Sequence, residues 1–256
     1  MAFIELRNVS KRFGSLIVLH DLNLSIEKGQ SLVVIGASGT GKSVMLKHIV
    51  GLLRPDAGEV WVEGRRIDSL PERDLVDVRT RFGFLFQMGA LFDSLPVEEN
   101  LAFPIVEHTR KPPDEISRIV DERLGMVGLP EARKKMPAEL SGGQRKRVAL
   151  ARAIALDPRV ILYDEPTTGL DPVRADVINE LIIKLKRELR VTSVVVTHDM
   201  HSAFKVADRI VMLDQGKIVF DGTPQQIQQS KNPLIRSFVL GEAGPKELES
   251  LERDFG

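Results

Sequence analysis

The chain has 256 residues, 43% hydrophobic and 28% charged, enough to bury one sizeable core with room for a smaller attached lobe. Lysine plus arginine equals aspartate plus glutamate at 36 each, so no net field recommends nucleic acid or an anionic membrane surface as a general partner. There are no cysteines, which excludes disulfides and thiolate metal sites and suits a reducing cytoplasm.

The opening residues, MAFIELRNVSKRF, carry Glu5 and Arg7 where a signal peptide needs an apolar core. No segment approaches the roughly 20 apolar residues of a spanning helix, so a chain soluble by itself is expected. Residues 2–30 read as short strands, Ala2 to Val9, Leu16 to His20 and Leu22 to Ile26, and predict an antiparallel patch. Then SLVVIG (Ser31 to Gly36) is a continuous apolar run, followed by Leu46, Ile49, Val50 and Leu53 at helical spacing within Lys42 to Leu53. This predicts a buried strand turning into a helix.

The stretch FQMGALFDSLPVEEN, Phe86 to Asn100, breaks every period, with Gln87 alone in apolar company and Pro96 barring a helix through its middle. Beyond it, Asp114 to Val127 and Gly143 to Leu156 have helical patterns, and residues 88–156 hold no convincing buried strand. An inserted helical lobe is expected there. RVILYDE (Arg159 to Glu165) and TSVVVTHD (Thr192 to Asp199) are buried runs flanking an amphipathic segment from Pro172 to Arg190, the spacing of a parallel sheet covered on both faces. Ile210 to Leu213 and Lys217 to Phe220 flank DQG, a hairpin signal, and Thr223 to Gln226 has the form of a capping box. In the charged last residues, Leu248, Leu251 and Phe255 share roughly one face. The expected fold is α/β, with a mostly parallel sheet, an amino-terminal antiparallel β-subdomain and an inserted α-helical subdomain.

Several short motifs carry chemistry. GASGTGKS (Gly36, Ala37, Ser38, Gly39, Thr40, Gly41, Lys42, Ser43) fits a phosphate-binding loop and sits where its mechanism needs it, between strand and helix. Glycines let backbone amides converge on phosphate oxygens, and the helix amino terminus adds positive charge. Lys42 would reach the β and γ phosphates, and Ser43 would hold Mg²⁺. ILYDEP ends a buried strand in two carboxylates: Asp164 can hold Mg²⁺, while Glu165, pointing the other way, can polarise a water. Two solvated acids are the plainer reading of that pair. LSGGQ places Ser141, Gly142, Gly143 and Gln144 in a capping box, yet two glycines in a helix's first turn exceed what a cap needs. Their use is close approach to an anion, with Arg145, Lys146 and Arg147 expected to reinforce the field. Asp171 before Pro172 reads equally as a plain helix cap. His198 ends a buried strand, where parallel sheets bind ligands, whereas His20, His48, His108 and His201 read as structural or surface. Phe13 can stack on a base or simply pack.

Taken in order, GASGTGKS, Gln87, LSGGQ, ILYDEP, GLD and His198 resemble the ATP-binding cassette (ABC) ATPases over residues 1–240. The resemblance implies a RecA-like P-loop core at 1–87 and 157–240, a helical subdomain at 88–156 and a carboxyl-terminal extension at 241–256. It implies ATP and Mg²⁺ as ligands and a head-to-tail homodimer, in which Gly36 to Ser43 of one subunit and Ser141 to Gln144 of the other sandwich each nucleotide. In the same reading Phe13 stacks on adenine, Gln87 senses Mg²⁺ and the attacking water, and Glu165 is the catalytic base. His198 contacts the γ-phosphate and Asp171 crosses the dimer interface. Val44 stands where the family usually has a second hydroxyl, leaving its backbone amide and a tuned affinity. Asp93 and Ser94 stand where many amino-acid importers have a Pro-His pair.

The wider wording, FQMGALFDSLPVEENLAFPIVEHT with MPAELSGG, is similar to the ATPase subunits of Mce/Mla-type phospholipid transporters of Gram-negative bacteria. That resemblance implies a dimer on the cytoplasmic face of the inner membrane beneath integral-membrane permease subunits, a periplasmic MCE lipid-binding subunit and a small STAS-domain partner. Met88, Leu91 and Phe92 are then candidates for apolar contact with the permease. A small-solute importer is the alternative, and a soluble cassette acting on nucleic acid is disfavoured by a single cassette and neutral charge.

Overall fold

The computed structural model describes residues 2–242. Strand β1 (Ile4–Phe13) pairs with β2 (Leu16–Ile26) and with β4 (Ala57–Val62), which carries the short β5 (Arg65–Arg66), in an antiparallel sheet of order β2-β1-β4-β5. The sequence predicts a break between Leu16–His20 and Leu22–Ile26; β2 instead runs through it. Asp21 takes a positive φ of 47°, and its N–H donates to Ser10 Oγ while that hydroxyl donates to Asp21 Oδ1, closing the irregularity across the strands.

The second sheet has the order β10-β9-β3-β8-β7-β6, from β3 (Ser31–Ile35), β6 (Phe82–Leu85), β7 (Val160–Asp164), β8 (Thr192–Val196), β9 (Arg209–Asp214) and β10 (Lys217–Gly222). All its pairs are parallel except the edge hairpin β9–β10, whose turn puts Gln215 and Gly216 both at positive φ. Every residue of β3, β7 and β8 is buried, which is why these runs are apolar throughout rather than alternating. Val33, Ile35, Tyr163 and Val195 face one core with α5 (Gly142–Ala153), α6 (Pro172–Leu189) and α7 (Met200–Val206). On the other face, Leu32, Val34, Leu162 and Val194 meet α1 (Lys42–Ile49) and the antiparallel sheet.

Residues 54–85, without a predicted element, supply β4, β5, α2 (Glu72–Arg79) and β6. A further helix, α3 (Val97–His108), starts directly after Pro96: the proline blocks a helix before it and serves as the entry to one after it. With α4 (Pro113–Met126) and α5 it forms the helical cluster expected between the two halves of the core. The aperiodic stretch before α3 is held by the fully buried Asn100, whose Oδ1 accepts from Phe92 N–H at 2.8 Å while its Nδ2 donates to the Phe92 and Leu95 carbonyls. The chain continues through α8 (Pro224–Gln228), opened by the capping box between Thr223 and Gln226, to α9 (Pro233–Leu240). Leu248, Leu251 and Phe255 lie outside the described residues. Among those described, no helix is long and apolar enough to cross a membrane.

A candidate nucleotide site at the carboxyl ends of the parallel strands

The loop between β3 and α1 is shaped by what lies behind it. At Gly41 (φ 100°) a Cβ would stand 2.7 Å from the Val18 carbonyl, and at Gly36 (φ 149°) 2.3 Å from the Leu213 carbonyl, so backbone from two other elements occupies the space of any side chain. Gly41 also caps α1 with no side-chain acceptor, leaving the helix amides of its first turn for a ligand. Gly41→Ala combines left-handed strain with a backbone clash and is expected to cost about 2 kcal/mol or more of folding stability, measurable by urea denaturation.

Ala37, Ser38 and Gly39 form the exposed rim of the loop, and Thr40 closes it by donating to the Ala37 carbonyl. The buried Lys42 ammonium donates to the Gly36 and Ala37 carbonyls at 2.8 Å each. Burial lowers its pKa, against the opposing pull of Glu165 and Asp164. The next residue, Ser43, donates to Asp164 Oδ1 at 2.8 Å, and burial raises the pKa of that carboxyl despite the hydrogen bond. A hydroxyl and a carboxylate at this separation, beside a phosphate cradle, fit Mg²⁺, which takes few protein oxygens and completes its shell with water and substrate phosphates. Val44 packs its side chain against the core, so only its backbone faces the loop.

Strand order makes the site: β3, β8 and β7 lie side by side, so the phosphate loop, His198 and the carboxylate pair emerge at one edge although far apart in sequence. Glu165 sits at a positive φ of 51°, turning it out of line with Asp164. Its amide donates to the Val196 carbonyl at 2.9 Å and its Oε2 accepts from Thr168 Oγ at 3.0 Å. His198 Nδ1 stands 2.9 Å from the same Oε2, so its contact in the isolated chain is the carboxylate. His198 lines a cleft of about 460 Å³ together with Thr167, Gly169, Leu170, Pro172 and His201. Gln87 is exposed at the end of β6. Phe13 is 48% exposed at the end of β1, on the hairpin whose Val18 lies against Gly41.

The LSGGQ segment opens α5 with the expected box: Gln144 N–H donates to Ser141 Oγ at 3.3 Å, and Ser141 N–H to Gln144 Oε1 at 3.0 Å. Its glycines are another matter. Neither Gly142 nor Gly143 has a positive φ, and an added Cβ would meet nothing nearer than 3.8 Å (Leu170) and 3.6 Å (Arg174) respectively. No steric or conformational demand among the described residues explains them. The basic run that follows departs from expectation: Lys146 turns inward to the Gln87 and Glu165 carbonyls, and Arg147 donates to the Val127 and Gly128 carbonyls, leaving Arg145 exposed. Helical spacing puts Lys146 on the inward face with Gly143 and Leu150, the signal that would have found it. Asp171 caps α6, accepting from Arg174 N–H at 3.0 Å.

Such a loop, carboxylate pair and histidine at the edge of a parallel sheet define a P-loop ATPase, and the family model described as ABC transporter matches residues 19–168. The chain belongs to this family as an ATP-binding cassette. It is 44% identical over 238 residues to the "Probable ribonucleotide transport ATP-binding protein mkl" of Mycobacterium leprae, covering 93% of this chain and 69% of that protein. It is 42% identical over 253 residues to the "Intermembrane phospholipid transport system ATP-binding protein MlaF" of Haemophilus influenzae, covering 98% of this chain and 96% of that one. Among solved structures, the dimeric ATP-binding cassette MJ0796 in a post-hydrolysis state bound to ADP and Pi superposes with a TM-score of 0.80 at 35% identity, over 86% of this chain and 98% of that one.

Proposed function

We propose that this chain is the ATP-hydrolysing subunit of a membrane transporter that moves phospholipid between the inner and outer membranes. It works as a homodimer on the cytoplasmic face of the inner membrane. The observation that carries the motor is the pair Gly142 and Gly143, which nothing among the described residues explains and which a nucleotide held by a second copy would. The cargo reading is supported by the match to MlaF over nearly the whole of both chains. The mycobacterial relative named for ribonucleotide transport, matched over 69% of its length, supports a small-solute cargo as the second reading.

In this mechanism the amides of Gly36 to Ser43 and the Lys42 ammonium leave their internal partners and hold the β and γ phosphates, with Phe13 against the adenine and the Val44 amide beside the phosphates. Ser43, Asp164 and Gln87 would hold Mg²⁺, which would supply neutralisation of phosphate charge when bound. Glu165 accepts the proton of the attacking water. His198, released from the carboxylate, donates to the γ-phosphate. Ser141 to Gln144 of the partner close the site, and Asp171 contacts across the interface.

Residues 88–156 act as the helical subdomain on which the permease docks. Met88 is 90% exposed, and Phe92 and Phe103, 4.9 Å apart, border a groove with Phe84, Phe86 and Arg152. Leu91 differs from expectation: it packs partly buried against the core. Met88→Asp is expected to leave nucleotide binding unchanged and to weaken copurification with the membrane subunit by about tenfold or more, since it removes an apolar contact and buries a charge.

An MCE-type lipid-binding subunit and a small STAS-domain subunit complete the proposed assembly. Purifying the native complex and identifying its subunits and bound lipid by mass spectrometry tests the cargo. Phospholipid with an MCE-type subunit is expected; a small-solute-binding subunit without lipid overturns the reading.

A further inference from the structure

Lys146 is only 7% exposed, and its ammonium donates to two backbone carbonyls, those of Gln87 and of Glu165, the latter at 3.2 Å. These carbonyls belong to the residues at the ends of two neighbouring strands, β6 and β7, while the lysine belongs to α5, five residues beyond Ser141. A buried ammonium is costly unless its hydrogens are taken, and two carbonyl acceptors at the mouth of the site are what holds it there.

Glu165 is the residue most in need of restraint. A non-glycine residue at φ 51° persists only where its surroundings over-determine it. Its amide is held by the buried Val196 and its carboxylate by the half-buried Thr168 and the exposed His198. Its carbonyl accepts from the Thr168 N–H at 3.3 Å, within its own turn, and from the Lys146 ammonium at 3.2 Å, the one of these two partners that comes from the helix carrying Ser141 to Gln144. The same ammonium holds the carbonyl of Gln87, immediately before the exposed Met88.

We infer that Lys146 is a positioning residue for ATP hydrolysis, a strap that fixes the Glu165 and Gln87 backbones to the helix bearing the second phosphate-facing loop. It rests on the roles proposed above for Glu165 and Gln87. Through it, a shift of α5 on closure of the dimer, or of the turn after Gln87 on permease docking, changes the aim of the Glu165 carboxylate without touching ATP.

The test compares Lys146→Met, which keeps the length and loses the donors, with Lys146→Arg, which keeps donors and charge, in the complete transporter. Lys146→Met is expected to lower kcat about tenfold or more with KM for ATP within about twofold, and Lys146→Arg to recover most of the loss. A purely architectural lysine would instead change KM and Tm together, with arginine no better than methionine; that result overturns the inference, as does wild-type kcat in Lys146→Met. Should Lys146→Met fail to fold, Lys146→Gln, which keeps a side-chain donor, is expected at intermediate kcat with unchanged KM, and wild-type kcat there equally sinks the strap. Glu165→Gln runs alongside: if it turns over normally the underlying reading fails, whereas an inactive Glu165→Gln beside a fully active Lys146→Met removes the strap alone.

Discussion

Glu165→Gln is expected to cut ATP turnover of the transporter by about 10²–10⁴-fold while leaving nucleotide affinity within about twofold. The substitution preserves volume, and the amide oxygen can still accept from Thr168 Oγ, 3.0 Å from Oε2 in the wild type. The strained backbone is no worse served, since glutamine and glutamate tolerate a φ of 51° equally poorly. What disappears is the ability to take a proton from water. In the proposed mechanism binding rests on Gly36 to Ser43, so the variant should accumulate as an ATP-bound dimer. Steady-state turnover of the reconstituted complex, with binding of a fluorescent ATP analogue, checks both halves; normal turnover would falsify the assignment of the base.

Gly143→Asp is expected to reduce turnover by about a hundredfold or more, equivalent to about 3 kcal/mol of lost transition-state stabilisation, in a protein that folds normally. The fold has room for it: a Cβ there meets Arg174 at no less than 3.6 Å, and an acidic residue in a helix's first turn is favoured by the helix dipole. Gly143 itself is buried on the inward face of α5, so desolvation of the carboxylate opposes this gain, and urea denaturation of the variant checks that the fold survives. In a dimer that brings this turn against the partner's nucleotide, the carboxylate would face phosphate oxygens in a site drained of water, where like charges repel strongly. ATP binding to each chain's own loop should persist, because that loop lies against Val18 and Leu213, whereas Gly142 and Gly143 lie against Leu170 and Arg174. Sedimentation of the Gly143→Asp/Glu165→Gln double variant with ATP reads the outcome: monomers are expected, and a stable ATP-dependent dimer overturns the second-copy role.

These two residues also mark where sequence reading succeeds and where it stops. Local hydrogen bonding is written locally: the Ser141–Gln144 and Thr223–Gln226 boxes and the Asp171 cap span three residues each, and all form as their spacing dictates. Burial on both faces likewise writes itself into composition, so β3, β7 and β8 stood out as unbroken apolar runs. Residues 54–85 and α3 carried no such signal. Their strands and helices are short, Pro96 reads as a breaker until it is seen to open a helix, and Asn100 looks polar until its hydrogen bonds to the Phe92 and Leu95 backbone are found.

The sequence by itself determined the cassette family and the α/β class, because each depends on short spacings and on side-chain chemistry. Tertiary structure alone decided that Lys146 turns inward to the Gln87 and Glu165 carbonyls, that His198 rests on Glu165, and that Glu165 occupies a left-handed backbone. All three follow from the strand order β3-β8-β7-β6, which sets segments far apart in the chain side by side. Which carbonyl a buried ammonium finds is a property of that packing, and no local spacing encodes it.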